Sequence, residues 1–84
     1  MPALRIKGAA EKDIRDLPST VRDRILTTIQ SLRETSFPRG AQQLQGLEHH
    51  HRLRVGDYRI LYEFDAEAQT ITIYRVKHRR EAYR

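Results

Sequence analysis

All four histidines and eight of the sixteen Lys and Arg residues of this 84-residue chain lie between His49 and Arg84. Arginine carries a planar fork that matches phosphate oxygens and never loses its charge. Histidine is the side chain that can take up a proton near neutrality. A formal net charge of +5 and a pI of about 10.1 favour a polyanionic partner. If that partner is RNA, cleavage without metal uses the 2′-hydroxyl as an internal nucleophile on the adjacent phosphorus. The protein must then supply a base for the hydroxyl, cations for the charge that builds on the phosphate, and help for the departing 5′-oxygen. The arginines suit the middle task and are poor bases. The base has to come from His50, His51, His78 or Tyr83.

These side chains need a frame. Leu4 and Ile6 alternate with Arg5 and Lys7, a short strand stopped by Gly8. Ala9 to Leu17 reads as a helix with Ala10, Ile14 and Leu17 on one side. After Pro18, Ser19 is a natural N-cap for a second helix, where Val21, Ile25, Ile29 and Leu32 form one apolar stripe. Phe37-Pro38-Arg39-Gly40 ends it, and Ala41 to Glu48 reads as a polar connector. From there the period becomes two: His49 to Val55, a Gly56-Asp57 turn with positive φ at its first position, Tyr58 to Phe64, a turn over Asp65 to Gln69, then Thr70 to Lys77. Arg79 to Arg84 is a short, highly charged tail with no added helix. The order β-α-α-β-β-β predicts an α+β fold: a small, four-stranded, mostly antiparallel sheet with a helical hairpin on one face.

Strand parity places the chemistry. Tyr58, Ile60, Tyr62 and Phe64 share one face, which must meet the helices, and so do Leu53 and Val55. Arg52, Arg54, Arg59 and His50 then share the opposite, open face, together with Leu61. Like charges on neighbouring strands repel, so an anionic ligand or an acidic protein is expected to cover them. The plain alternative is a solvated face with scattered bridges to Glu63 and Glu67. The last strand stays undecided, because Ile71 and Ile73 share parity with Arg75 and Lys77, while Thr72, Tyr74 and Val76 form the other set.

Other classes fall away. Eighty-four residues make one domain over positions 1–84, burying only about 60–65% of the unfolded chain's surface. The chain has no Cys, hence no disulfide or thiolate metal site, which fits a reducing compartment. His49 and His51 share a strand face but lack a third ligand, so no metal and no other cofactor is expected. With neither a secretory signal nor about 20 consecutive apolar residues, the expectation is a cytoplasmic protein without a membrane partner.

The run LQGLEHHHRLRVGDYRILYEF and the closing ITIYRVKHRREAYR resemble the RelE/ParE superfamily of bacterial toxins. The most specific parts are RVGDYRILYE and HRREAYR, and the likeness extends to the first strand and the Leu-Pro between the helices. The resemblance implies a RelE-like toxin of a type II toxin–antitoxin system with the same β-α-α-β-β-β order. RelE-like members cut messenger RNA in the ribosomal A site without metal, whereas ParE-like members inhibit DNA gyrase and are not nucleases. The closing HRREAYR favours the RelE branch. It implies phosphate-holding roles for Arg52, Arg54 and Arg59, a leaving-group role for Arg79, and an assisting role for Tyr83. This chain has His50 and Arg52 where the familiar pattern has lysines, which makes His50 a candidate base. Arg75, Lys77 and Arg80 are expected to contact RNA phosphates or form salt bridges. The implied partners are the ribosome with its messenger, and a cognate acidic antitoxin that masks the basic site in a hetero-oligomer.

Overall fold

The computed structural model describes residues 2–44, 46 and 49–82. Its elements run β1 (Ala3–Ile6), α1 (Gly8–Arg15), α2 (Ser19–Ser31), β2 (Ala41–Gln43), β3 (His50–Val55), β4 (Tyr58–Asp65), β5 (Thr70–His78) and α3 (Arg79–Ala82). They form the expected α+β fold with one more strand than expected: a five-stranded sheet in the order β1-β5-β4-β3-β2. The first and last strands of the chain lie side by side and parallel, and every other pairing is antiparallel. Part of the polar connector is the edge strand β2, held by pairing Ala41, Gln42 and Gln43 with Leu53, Arg52 and His51. The charged tail also begins with a helical turn, α3.

Ala10 and Ile14 of α1, Ile25 and Ile29 of α2, and Leu32 just beyond it close over Leu53, Ile60, Tyr62, Ile71, Ile73 and Val76. Both helices therefore cover one face of the sheet. Pro18, rather than Ser19, is the N-cap of α2 and makes no side-chain cap bond; its carbonyl accepts the Arg22 N–H at 2.8 Å. Gly56 has φ of +60° in the β3–β4 turn, the geometry expected for the first central position of a two-residue hairpin turn.

The undecided parity of β5 is explained by a bulge. Ile73 pairs with Tyr62, but Leu61 pairs with Arg75 and Ile60 with Val76, so the register skips Tyr74. One extra residue lets Ile71, Ile73 and Val76 all reach the core although their spacing is not a simple alternation. The bulge lies just past the end of β1, whose last backbone bond to β5 runs from Lys7 N–H to the Ile73 carbonyl. Beyond that point Asp13 of α1 takes the place of a strand. Its carboxylate accepts the Val76 N–H at 2.9 Å and the Arg75 fork at 2.8 and 3.0 Å.

Tyr62 ties the sheet to the segment after α2. It is fully buried, and its hydroxyl donates to the Ser36 carbonyl at 2.7 Å. Burial pushes its phenol from the ordinary 10.0 up to about 12. The neutral form is thus favoured by folding: its contribution is intact below about pH 10 and is lost as pH rises through the folded value. Tyr62→Phe is expected to lower stability by about 1 kcal/mol in urea unfolding at pH 7. An alkaline ultraviolet titration near pH 11 should show at least one phenolate fewer in the folded wild type than in the unfolded chain, and Tyr62→Phe should narrow that difference.

Candidate nucleic-acid interface

The register arranges the open face in three rows across the sheet. His50 stands opposite Glu63, Arg52 opposite Leu61 and beside Gln42, and Arg54 opposite Arg59, which is itself opposite Lys77. The third row places three cations on three adjacent strands, an arrangement that repels itself unless an anion lies over it. Arg79 enters the same end of the face at the start of α3. Its N–H donates to the Asp57 carbonyl at 2.7 Å, and its guanidinium lies 4.0 Å from the Asp57 carboxylate. The β3–β4 turn therefore fixes where α3 begins.

Several arginines are held before any ligand arrives. Arg52 donates to the Gln42 side-chain oxygen from Nη2 at 3.0 Å and from Nε at 3.3 Å. Arg54 Nε donates to the Gly56 carbonyl at 3.1 Å. Arg59 is only 7% exposed and donates from Nη1 to the Tyr58 carbonyl at 3.4 Å. Two hollows meet at Arg54 and Arg59. One, about 300 Å³, is lined by Gly40, Gln42, Arg52, Arg54 and Arg59; the other, about 390 Å³, by Arg54, Arg59, Arg79 and Arg80. Neither has an acidic side chain in its lining, so both suit phosphate oxygens. A further hollow of about 400 Å³ between α1 and β5 has Lys12 and Arg75 balanced by Asp13 and Asp16, and offers no comparable positive field.

The first row is chemically different. His50 Nε2 lies 3.5 Å from a Glu63 carboxylate oxygen, and the Tyr74 hydroxyl donates to that same oxygen at 3.0 Å. The rings of His50 and Tyr74 stack with centroids 5.3 Å apart. Burial raises the Tyr74 phenol above its usual value, and the bond to Glu63 and its negative charge push the same way, so Tyr74 stays a proton donor. His50 and Arg52 are two residues apart on one face of a strand, about 7 Å along it. That spacing suits a base and a cation acting on one ribose–phosphate unit.

Among the described residues, His50 alone of the candidate bases stands on this face. His51 is on the helix side, its ring against Phe37 at 4.7 Å and Tyr62 at 5.5 Å. His78 packs edge-on to Tyr58 at 5.2 Å, and its Nδ1 accepts the Arg80 N–H at 3.2 Å. Tyr83 lies outside the described residues. Arg52, Arg54, Arg59, Lys77, Arg79 and Arg80 come together as a group. Arg75 does not join them: its register partner is Leu61, but its guanidinium is held by Asp13 of α1 at 2.8 and 3.0 Å, the salt bridge that was the other expectation for it. Sequence reasoning missed Gln42, Glu63 as the partner of His50, and Tyr74. Parity does put Glu63 on the open face beside the arginines, so its position was readable, but the facing of Tyr74 was hidden by the bulge.

Comparison with known proteins agrees with this frame. The chain matches the family model described as the ParE toxin of the type II toxin–antitoxin system parDE over residues 4–83. No curated protein matches it. Among solved structures it resembles the archaeal RelE–RelB complex from Pyrococcus horikoshii OT3, at 26% identity over 93% of this chain and 94% of that one, with a TM-score of 0.83. The RelBE2 toxin–antitoxin complex from Mycobacterium tuberculosis is 28% identical over 93% of this chain and 99% of that one, with a TM-score of 0.79. The intact E. coli RelBE complex shares the fold, with a TM-score of 0.81 at 21% identity over 93% of this chain and 96% of that one. A family match over nearly the whole sequence, on a sheet that presents its cations in register, makes this chain a member of the RelE/ParE superfamily and a toxin of the type II toxin–antitoxin class.

Proposed function

We propose that this toxin is an endoribonuclease that enters the ribosomal A site and cuts the messenger there, without metal, by attack of the 2′-hydroxyl. The observation that carries the reading is one open face that bears the cation row Arg54–Arg59–Lys77 at one end, His50 at the other and Arg52 between them. In this reading His50 takes the proton of the 2′-hydroxyl, whose oxygen bonds to the adjacent phosphorus. The bond from phosphorus to the 5′-oxygen breaks, and that oxygen takes a proton from water, leaving a 2′,3′-cyclic phosphate and a 5′-hydroxyl. Arg52 and Arg59 neutralise the charge gathered on the phosphate oxygens, with Arg54, Lys77 and Arg80 holding the neighbouring phosphates. Arg79 and Tyr83 act at the leaving oxygen and beside the base, the roles implied by the resemblance to RelE. The partner in the resting cell is an acidic antitoxin laid over the same face, in a toxin–antitoxin hetero-oligomer, as RelE is found with RelB in the similar structures.

A second reading has one finding in its favour, the ParE name of the matching family. It makes the chain a gyrase inhibitor without catalysis. The two separate in one pair of assays. Added to a translation reaction with messenger 3′ ends mapped, the toxin is expected to produce new ends at A-site codons and to leave gyrase supercoiling untouched. Intact messengers with blocked supercoiling would establish the ParE reading instead.

A further inference from the structure

We infer that Glu63 and Tyr74 are positioning residues that hold His50 with its proton on Nε2, leaving the Nδ1 lone pair to accept the 2′-hydroxyl proton. The inference rests on the endonuclease reading above. It begins with the shared oxygen: one carboxylate oxygen of Glu63 faces His50 Nε2 at 3.5 Å and accepts the Tyr74 hydroxyl at 3.0 Å. An ionised carboxylate can only accept, so its approach favours hydrogen on the imidazole nitrogen that faces it. In that tautomer the other nitrogen is left with a free lone pair. The Tyr74 ring stacks on the imidazole, with centroids 5.3 Å apart and planes 24° off parallel, and restricts its rotation. The arrangement has the logic of a carboxylate that orients a histidine base and stabilises its cation once the proton is taken.

Two features make the grouping more than a surface contact. Tyr74 follows the buried Ile73 and so shares the face of Thr72 and Glu63, where its ring meets His50, and it is the one residue of β5 in this stretch without a register partner on β4. Glu63 sits in the row farthest from Arg54, Arg59 and Lys77, where its charge costs least to the phosphate-binding end. The side chains of His50 and Glu63 are each about one-third exposed or less, so solvent competes weakly for their contact.

The test combines a spectrum with kinetics on the full-length toxin. Nitrogen-15 NMR of the free protein at pH 8 should show the Nε2–H form of His50. Glu63→Gln, whose amide can donate as well as accept, should give a mixture of tautomers. On ribosomes programmed with a defined messenger, Glu63→Gln should slow single-turnover cleavage by about 10–100-fold, a share of the roughly 10²–10⁴-fold a general base supplies. Ribosome affinity should change by less than about twofold, because the defect lies in the reaction rather than in binding. Tyr74→Phe, which keeps the stacked ring and loses the hydroxyl, should cost about 3–10-fold. In a His50→Ala background, Glu63→Gln should add no further loss, as expected of groups that act as a unit. Effects that multiply in that background, or a Glu63→Gln enzyme as fast as wild type, would overturn the positioning role and leave the nuclease reading standing. Wild-type toxin that shows the fixed tautomer and cuts nothing would overturn both.

Discussion

Arg59→Ala is expected to lower A-site cleavage by about 10²–10³-fold, the loss measured when one preorganised donor to a developing oxyanion is removed. The size follows from its place. Arg59 is the central cation of three, is buried to 7% exposure, and has its guanidinium held at the junction of the two basic hollows. A fixed charge in a poorly solvated position acts more strongly on a phosphate than a solvated one does. Arg59→Lys should recover only part of the loss, since an ammonium is a point charge without the fork. The same truncation empties a nearly buried site and removes the bond to the Tyr58 carbonyl, so a stability loss of about 1–3 kcal/mol is expected beside the kinetic one. Primer extension on programmed ribosomes and urea unfolding of the same preparations separate the two effects. A folded variant that cuts at the wild-type rate would remove Arg59 from the mechanism.

The largest loss of stability from a single polar residue is expected at Asp13. Its carboxylate accepts from the Val76 N–H and twice from Arg75 at the stretch of β5 that β1 does not reach. Asp13→Ala leaves a backbone donor and a guanidinium without that acceptor, at a cost of about 2–4 kcal/mol. For a domain whose whole stability is about 5–10 kcal/mol, that is a large fraction. Acid should have the same effect on the wild type. Burial alone would raise the Asp13 carboxyl, but the bonds from Arg75 and Val76, with the charges of Arg75 and Lys77, outweigh it and hold it below the ordinary 3.8. A carboxyl lowered by folding contributes fully above its unfolded value, and the contribution fades as pH falls through the folded one. The urea midpoint of the wild type should therefore drop below about pH 4, and Asp13→Ala should remove part of that slope. Equal midpoints for the two proteins at pH 7 would contradict this account.

Much of the frame could be read from residue spacing, and the failures have physical causes. The helices announced themselves because Val21, Ile25, Ile29 and Leu32 must share one side of a cylinder, and three of these four are fully buried. His50, Arg52, Arg54 and Arg59 were placed correctly because Leu53 and Ile60 leave β3 and β4 only one face to bury. Edge strand β2 was missed because Ala-Gln-Gln has no strand preference of its own and is extended only by its pairing with β3. Arg75 was expected either on RNA phosphates or in a salt bridge, and the salt bridge, to Asp13, is what forms; the facing of β5 had stayed undecided because its register breaks at Tyr74. A single inserted residue cannot be seen in the period of a nine-residue strand. Pairing with its neighbour reveals it.

That inserted residue has a consequence for how this toxin can change. Counted by its partners on β4, the strand has one residue to spare: Ile73, Arg75 and Val76 meet Tyr62, Leu61 and Ile60 with Tyr74 left over. A chain shorter by that one position would still alternate correctly and keep Ile73 and Val76 inward, but it would lose the ring beside His50. The sheet and the His50–Tyr74 stack are thus separable at one codon, and a descendant could lose the stack while keeping the shape of the sheet.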